Sequence, residues 1–311
     1  MGAQINHYKL SLNSRSSKGG RHPIILPAYA NISAVIYNGV SQMVQQTKKA
    51  EHITVTLPIN PAQNNHYTIE WSEHKNLAAL AWQPSQINLN APSANHVVNI
   101  KFNTDKRWLL WLDGPVMGPA ILFWGTLLVL MGLAIILGLC HQWTTLGVSQ
   151  WILLLLGLSQ VSVESLFIIV AWFVLFNLRK QFAGSLMARP YVFNSMQIGL
   201  GLLTLIALST LLYSMHHGLL GAPEMKIIGN QSTHYILKWY QDRVPETLAE
   251  ISLISVPLYV YRILMVVWAL WLANALISWL KQQWQAFSRE AIWVTAVKKS
   301  VADSEVKESK L

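Results

Sequence analysis

The sequence predicts a mixed fold: a small antiparallel, sandwich-like β region toward the N-terminus, followed by an α-helical multi-pass membrane bundle. Three observations predict it. Of the 311 residues 52% are hydrophobic and only 12% charged, where an ordinary soluble domain carries about a quarter charged residues. The chain is polar up to Asp113 and dominated by apolar blocks after it. Finally, Ala120–Leu139 contains no charged residue, and about 20 residues at 1.5 Å each cover a hydrocarbon core of about 30 Å.

Residues 1–27 read as a flexible N-terminal segment. The first 22 lack the apolar core of a signal peptide, and SRSSKGG has loop composition. Residues 28–112 read as a β-rich extracytoplasmic region. His52–Ile59 sets Ile53, Val55 and Leu57 on one face, and His66–Ser72 does the same with Tyr67, Ile69 and Trp71. Gln86–Asn90 and His96–Phe102 repeat the pattern less cleanly, and NPAQNN and APSAN separate the segments as turns. Period-two alternation between turn residues marks half-buried antiparallel strands. Four or five such strands suggest a small sandwich with a thin core.

Residues 113–297 read as the membrane domain, with about five helices at 120–139, 144–161, 162–178, 192–215 and 256–280 and an external loop at 216–249. The turn Asp113–Pro119 aims the chain into lipid. Gly118, Gly125 and Gly132 recur every seven residues, which would place them on one helical face as a seam for a neighbouring helix. The pair 144–161 and 162–178 is short, and reads either as two spans or as a re-entrant hairpin. Residues 298–311 are expected to be a charged, disordered tail.

Charge placement orients the chain. Arg179, Lys180 and Arg189 fall on the same side as the tail that starts at Lys281, and short cytoplasmic loops carry the excess of Lys and Arg. The β region and the 216–249 loop then lie outside, with Trp108, Trp111 and Trp239 at the outer interface and Trp143, Trp279 and Trp284 at the inner one. An external region of this size without a signal sequence means either that the chain is the C-terminal part of a longer translocated protein, the favoured reading, or that the topology is inverted. The net charge of +9 is dispersed rather than gathered into a basic patch with interleaved aromatics, so nucleic acid is not an expected partner. The expected partners are the lipid bilayer and other envelope proteins.

Ionisable groups near lipid are the first places to look for chemistry. Glu164 and Arg262 fall at similar depth near the outer interface, and a buried ion pair between them is geometrically possible; separate snorkelling to headgroups is the alternative. His216, His217, His234, Asp242 and Glu246 share the outer loop, but the i, i+4 His pair of zinc hydrolases is absent. No nucleophile elbow, Walker loop or dinucleotide-binding turn occurs, so no catalytic residue, metal ligand or cofactor is assigned. Cys140 is the single cysteine, which excludes intrachain disulfides and reads as a buried or interfacial thiol. Asn177, Asn194, Gln197 and Asn274 read as interhelical hydrogen-bonding groups, or as the lining of a polar path.

The segments KRWLLWLDGPVMGPAILFWG, WILLLLGLSQ, GNQSTHYILKWYQDR and SVPLYVYRILMVVWALWLANAL resemble the C-terminal membrane module of large uncharacterised bacterial (proteobacterial-type) inner-membrane proteins. The resemblance spans roughly residues 50–295, and the DGPxxGPAxLFWG turn is its most specific element. It implies a signal peptide and a long β-rich periplasmic region ahead of the membrane module, and it carries no catalytic residues. The expected function is that of a non-enzymatic envelope anchor or assembly component in the inner membrane, its β region periplasmic and its tail cytoplasmic. The alternatives are a membrane-embedded enzyme or sensor using Glu164, Arg262 and His216, or a transporter subunit.

Overall fold

The computed structural model describes residues 5–43, 46–48, 51–74, 80–103, 106–140, 142–187, 190–288 and 291–294, so the predicted tail at 298–311, like Arg189, lies outside the described residues. The chain divides into two compact units, 1–123 with 224–258, and 124–223 with 259–311. It passes from one to the other three times.

The first unit is all β. Its strands are β1 (Ile5–Arg15), β2 (Gly20–Pro27), β3 (Asn31–Tyr37), β4 (Val40–Ser41), β5 (Gln46–Lys48), β6 (His52–Ile59), β7 (Asn64–His74), β8 (Ala81–Trp82), β9 (Ser93–Lys101), β10 (Arg107–Asp113) and β11 (Ala120–Ile121). After an excursion through four helices they resume with β12 (Ile227–Ile228), β13 (Ile236–Val244) and β14 (Ser252–Pro257). Every strand pairing is antiparallel.

Two sheets, β1-β7-β3-β4 and β2-β6-β5, share one core. Alternation along β6 sends Ile53, Val55 and Leu57 inward, and alternation along β7 sends Tyr67, Ile69 and Trp71 to meet them. Burying each such side chain contributes roughly 1.5–3 kcal/mol, so a charge at Val55 or Ile69 would break this core. Tyr8 stacks on Trp71 at 5.2 Å and Tyr37 on Tyr67 at 5.2 Å, extending the core along neighbouring strands. The β3–β4 hairpin turns through Asn38 and Gly39, both at positive φ (45° and 84°), as a two-residue turn of matching twist requires. Beyond it, the fully buried Asn65 accepts from Tyr37 Oη at 2.7 Å and donates to the Asn60 carbonyl at 3.0 Å.

A second core gathers Leu109, Leu237, Trp239, Ile251 and Leu253 from the sheets β13-β9 and β10-β14-β8. Arg107 ties β10 to β14, its Nε donating to Ser255 Oγ at 2.8 Å and its Nη2 to the Ser255 carbonyl at 2.7 Å. The Asp113–Pro119 turn closes over Trp239 with almost no clearance. A Cβ on Gly114 would lie 2.7 Å from Trp239 Nε1, and one on Gly118 would overlap the same indole.

Three expectations are corrected here. Of the expected flexible segment 1–27, residues 5–27 are instead strand and turn, because alternating Tyr8, Leu10 and Leu12 cover the first core while β1 pairs along the whole of β7; residues 1–4 lie outside the described residues. The 216–249 stretch is not a free loop: it supplies β12 and β13, and Leu237 and Trp239 are buried at the centre of the second core. Trp239 is therefore a core residue and not an interfacial one.

The second unit is helical: α1 (Phe123–Leu139), α2 (Val148–Leu158), α3 (Val163–Met187), α4 (Pro190–Leu220) and α5 (Leu258–Ser288, of which Leu258 belongs to the β unit). The expected bounds shift in informative ways. Ala120 and Ile121 pair with Ile228 and Ile227, so α1 begins only at Phe123. Ser255–Pro257 likewise remain in β14 before α5 starts. Arg179 and Lys180 lie inside α3, which runs on to Met187 instead of ending at residue 178. Two of the five, α4 and α5, are long and apolar enough to cross a membrane; α1 and α2 are shorter apolar helices.

An aromatic cluster knits this unit together. Phe173 packs against Trp172 at 4.7 Å, Trp279 at 5.2 Å and Trp151 at 5.5 Å. Trp279, expected at the inner interface, is buried in that cluster. The glycine seam is also elsewhere than predicted. Gly118 lies outside α1, and Gly125 and Gly132 face open space. The close approaches are made by Gly138 against Val148, Gly157 against the Trp268 indole, and Gly218 against the Met265 methyl.

Candidate functional site

Of the residues singled out from sequence, the structure brings few together. Glu164 stands exposed in the first turn of α3 and Arg262 stands exposed on α5; among the described residues the ion pair present is Lys9–Glu70 at 3.1 Å, not Glu164–Arg262. Acidic charge in a helix's first turn is favourable by itself, which accounts for Glu164 without a partner on α5. His216 and His217 are exposed at the end of α4, with His217 stacked on Tyr213 at 5.9 Å. His234 packs on its neighbour Tyr235 at 3.9 Å. No group of three or more His, Cys, Asp or Glu side chains with metal-binding geometry occurs among the described residues. Cys140 is exposed just past α1.

The polar residues of the helices bond to backbone carbonyls. Asn177 Nδ2 donates to the Gln142 carbonyl at 2.7 Å, Asn194 Nδ2 to Val294 at 2.9 Å, and Gln197 Nε2 to Phe287 at 3.1 Å. Asn194 and Gln197 thus hold the chain around and beyond the end of α5 against α4, Gln197 using the Phe287 carbonyl that the helix terminus leaves without an intrahelical partner.

A buried network in the β unit is the most concentrated polar feature. Glu73, fully buried, accepts from Trp71 Nε1 at 3.0 Å and from Ser85 Oγ at 2.6 Å, and Ser85 in turn meets Tyr29 Oη at 2.9 Å. Burial, with Glu73 beside it, pushes the Tyr8 phenol well above its ordinary value. The Glu73 carboxylate locks the β7 end to the segment after β8, as satisfied buried polar groups commonly do.

A groove of about 1990 Å³ lies in the same unit. One wall is the whole of β1, and the other is nearly the whole of β9. Both are sheet edges: β1 is paired on one side only, by β7, and β9 on one side only, by β13. The groove is thus bordered by two strands that each leave one edge unpaired among the described residues. Tyr8, Leu10 and Leu12 on one side, and Ile100 on the other, are packed against the two cores but only half-buried. Side chains directed away from the cores include Lys9, Arg15, Lys101 and Lys238, against a single lining acid, Glu70, which Lys9 already neutralises. His96, on β9, is held below its ordinary value by burial.

Sequence reasoning missed this groove because it treated residues 1–27 as unstructured. The signal was present in the Tyr8, Leu10, Leu12 alternation, obscured by the polar residues between them. Comparison with protein-family models, with curated proteins and with solved structures gives no match for this chain.

Proposed function

We propose that the protein is a multi-pass inner-membrane component of a bacterial envelope whose helices anchor the β unit at the outer membrane face, where it serves as a non-enzymatic interaction or assembly module. One observation carries the membrane part. The candidate spans in α4 and α5 reach mean hydropathies of 1.9 and 2.0, yet only 22% and 28% of their most apolar stretches is buried within the protein. A core helix of a soluble protein would be mostly covered. Here Leu128, Leu205, Val267 and Leu270 point outward from α1, α4 and α5 at 60–70% exposure. Leaving such side chains in water forfeits roughly 1.5–3 kcal/mol for each one fully exposed, and lipid removes that cost.

Connectivity supports the arrangement. Phe123 N–H donates to the Met225 carbonyl at 3.2 Å, and Leu258 N–H to the Lys106 carbonyl at 3.0 Å. The start of α1, the segment following α4 and the start of α5 are thus all tied to the β unit. The chain leaves through α1, returns through α4 and leaves again through α5, whether α2 and α3 make two passes or a hairpin. The dispersed Lys and Arg at the far ends support a cytoplasmic assignment for that side.

Cys140 provides the test, since it is the single cysteine, exposed, and sits at the far end of α1. A membrane-impermeant maleimide should fail to label it in intact spheroplasts and label it after permeabilisation. A Cys140→Ser variant carrying Ser11→Cys in the β unit should show the reverse. Labelling of both from outside, or extraction of the protein from membranes by carbonate, would overturn the proposal.

A further inference from the structure

We infer that the groove between β1 and β9 is a strand-acceptor site, which takes an extended segment of about nine residues from another polypeptide, acidic at alternate positions. This rests on the reading of the β unit as an interaction module, and it names the partner chemistry.

The inference starts from the two edges. A sheet edge presents a row of unpaired N–H and C=O groups, and soluble proteins normally blunt such edges or cover them. Among the described residues neither edge is covered: β1 runs for 11 residues and β9 for 9 with one side of each left unpaired, and the charges they carry, Lys9, Arg15 and Lys101, disfavour a second copy of the same strand. An entering strand would find main-chain partners, the mode by which peptides add to exposed sheet edges.

Volume sets the stoichiometry. Nine residues of strand rise about 3.3 Å each, with a strand spacing of about 4.8 Å and a sheet-packing depth of about 10 Å. Those dimensions enclose roughly 1,400 Å³. A groove of about 1990 Å³ therefore has room for one such strand. The length of β9 matches the length of that strand.

Polarity sets the sequence. On the inward side the entering segment meets Tyr8, Leu10 and Leu12, with Ile100 opposite, all apolar and half-exposed at the margins of the two cores. Apolar side chains at every second position would complete both. On the outward side Arg15, Lys101 and Lys238 remain after Lys9 is paired with Glu70, so the surface there is cationic. Carboxylates at the intervening positions complement it, and lysines there would be repelled. An acyl chain would satisfy the apolar margin but would leave both backbone rows and the cations unmet, so the polypeptide is the better occupant.

The test uses the full chain in detergent micelles and a fluorescein-labelled nine-residue peptide of alternating glutamate and valine, acetylated and amidated, with binding followed by fluorescence anisotropy. Two comparison peptides carry lysine for glutamate, or N-methyl groups on alternate residues to remove amide donors. The expected result is at least tenfold tighter binding of the glutamate peptide than of either comparison. Arg15→Glu with Lys101→Glu, both on exposed positions, should weaken the glutamate peptide at least tenfold and favour the lysine peptide. Equal affinity of the N-methylated peptide would reduce the effect to charge attraction and overturn strand addition. Absence of binding up to about 1 mM, or displacement of the peptide by a fatty acid below its micellar concentration, would overturn it too. Maleimide labelling of Cys140 reads the membrane arrangement separately, so the two readings fail independently.

Discussion

Gly157→Ala should destabilise the helical unit, although alanine is the better helix former. Gly157 lies within α2, and a Cβ placed there would overlap the Trp268 indole of α5. Trp268 is itself buried, and its Nε1 donates to the Leu153 carbonyl at 2.8 Å. Moving the ring forfeits that bond, about 1–3 kcal/mol with one partner left unsatisfied, and forces overpacking worth about 1–3 kcal/mol. The gain in helix propensity returns only about 1 kcal/mol. The net loss is about 3 kcal/mol, or roughly 6–12 °C in Tm at about 2–4 °C per kcal/mol. Gly125→Ala and Gly132→Ala meet open space and should instead be neutral or stabilising by up to about 1 kcal/mol. Thermal unfolding in a non-denaturing detergent, followed by near-ultraviolet circular dichroism, reads all three. A Gly157→Ala protein as stable as the parent would refute the argument. Large losses at Gly125 and Gly132 would relocate the helix seam to the position the seven-residue spacing suggests, against a second chain.

Two further outcomes follow from the β unit. Glu73→Ala should cost about 2–4 kcal/mol, because it leaves the buried Trp71 Nε1 without its acceptor; Glu73→Gln retains an acceptor and should cost less than half as much, as measured by thermal unfolding with tryptophan emission as the probe. His96 has its folded value lowered below 6.5 by burial. The unfolded chain then binds more protons, so stability falls as pH drops through about 6.5 and levels off once pH is below the folded value. His96→Gln should flatten that part of the stability profile, and an unchanged slope between pH 7 and 5 would show that His96 does not contribute.

Strands whose two faces differ were readable from residues alone. His52–Ile59 is β6 to the residue, and the inward sets of β6 and β7 are those expected from alternation. Helices were readable where apolar runs were long, though their starts were not. Ala120 and Ile121 are as apolar as the helix that follows, and only their pairing with Ile228 and Ile227, more than a hundred residues away, makes them strand. The same non-local pairing hid β13, whose Ile236–Val244 looked like a loop because its partner β9 is separated from it by four helices. Glycine spacing misled for a different reason. A periodic stripe predicts a face, but whether anything packs on it depends on the neighbour, and Trp268, Met265 and Val148 sit opposite Gly157, Gly218 and Gly138 instead. The Glu164–Arg262 pairing failed likewise, since similar depth along two helices does not fix which way either side chain turns.

The insertion of four helices between β11 and β12 has a consequence for biosynthesis. When Ile121 leaves the ribosome, β9 and β10 exist but their partners β13 and β14 do not. About 100 residues separate them, which at 5–20 residues per second is a wait of roughly 5–20 seconds. Throughout that wait the second core lacks Leu237, Trp239, Ile251 and Leu253, four of its five central members. Only a chain whose first four helices have already been delivered can close it. The second core therefore closes only after all four helices have been synthesised, so its completion reports that the whole intervening segment has been made.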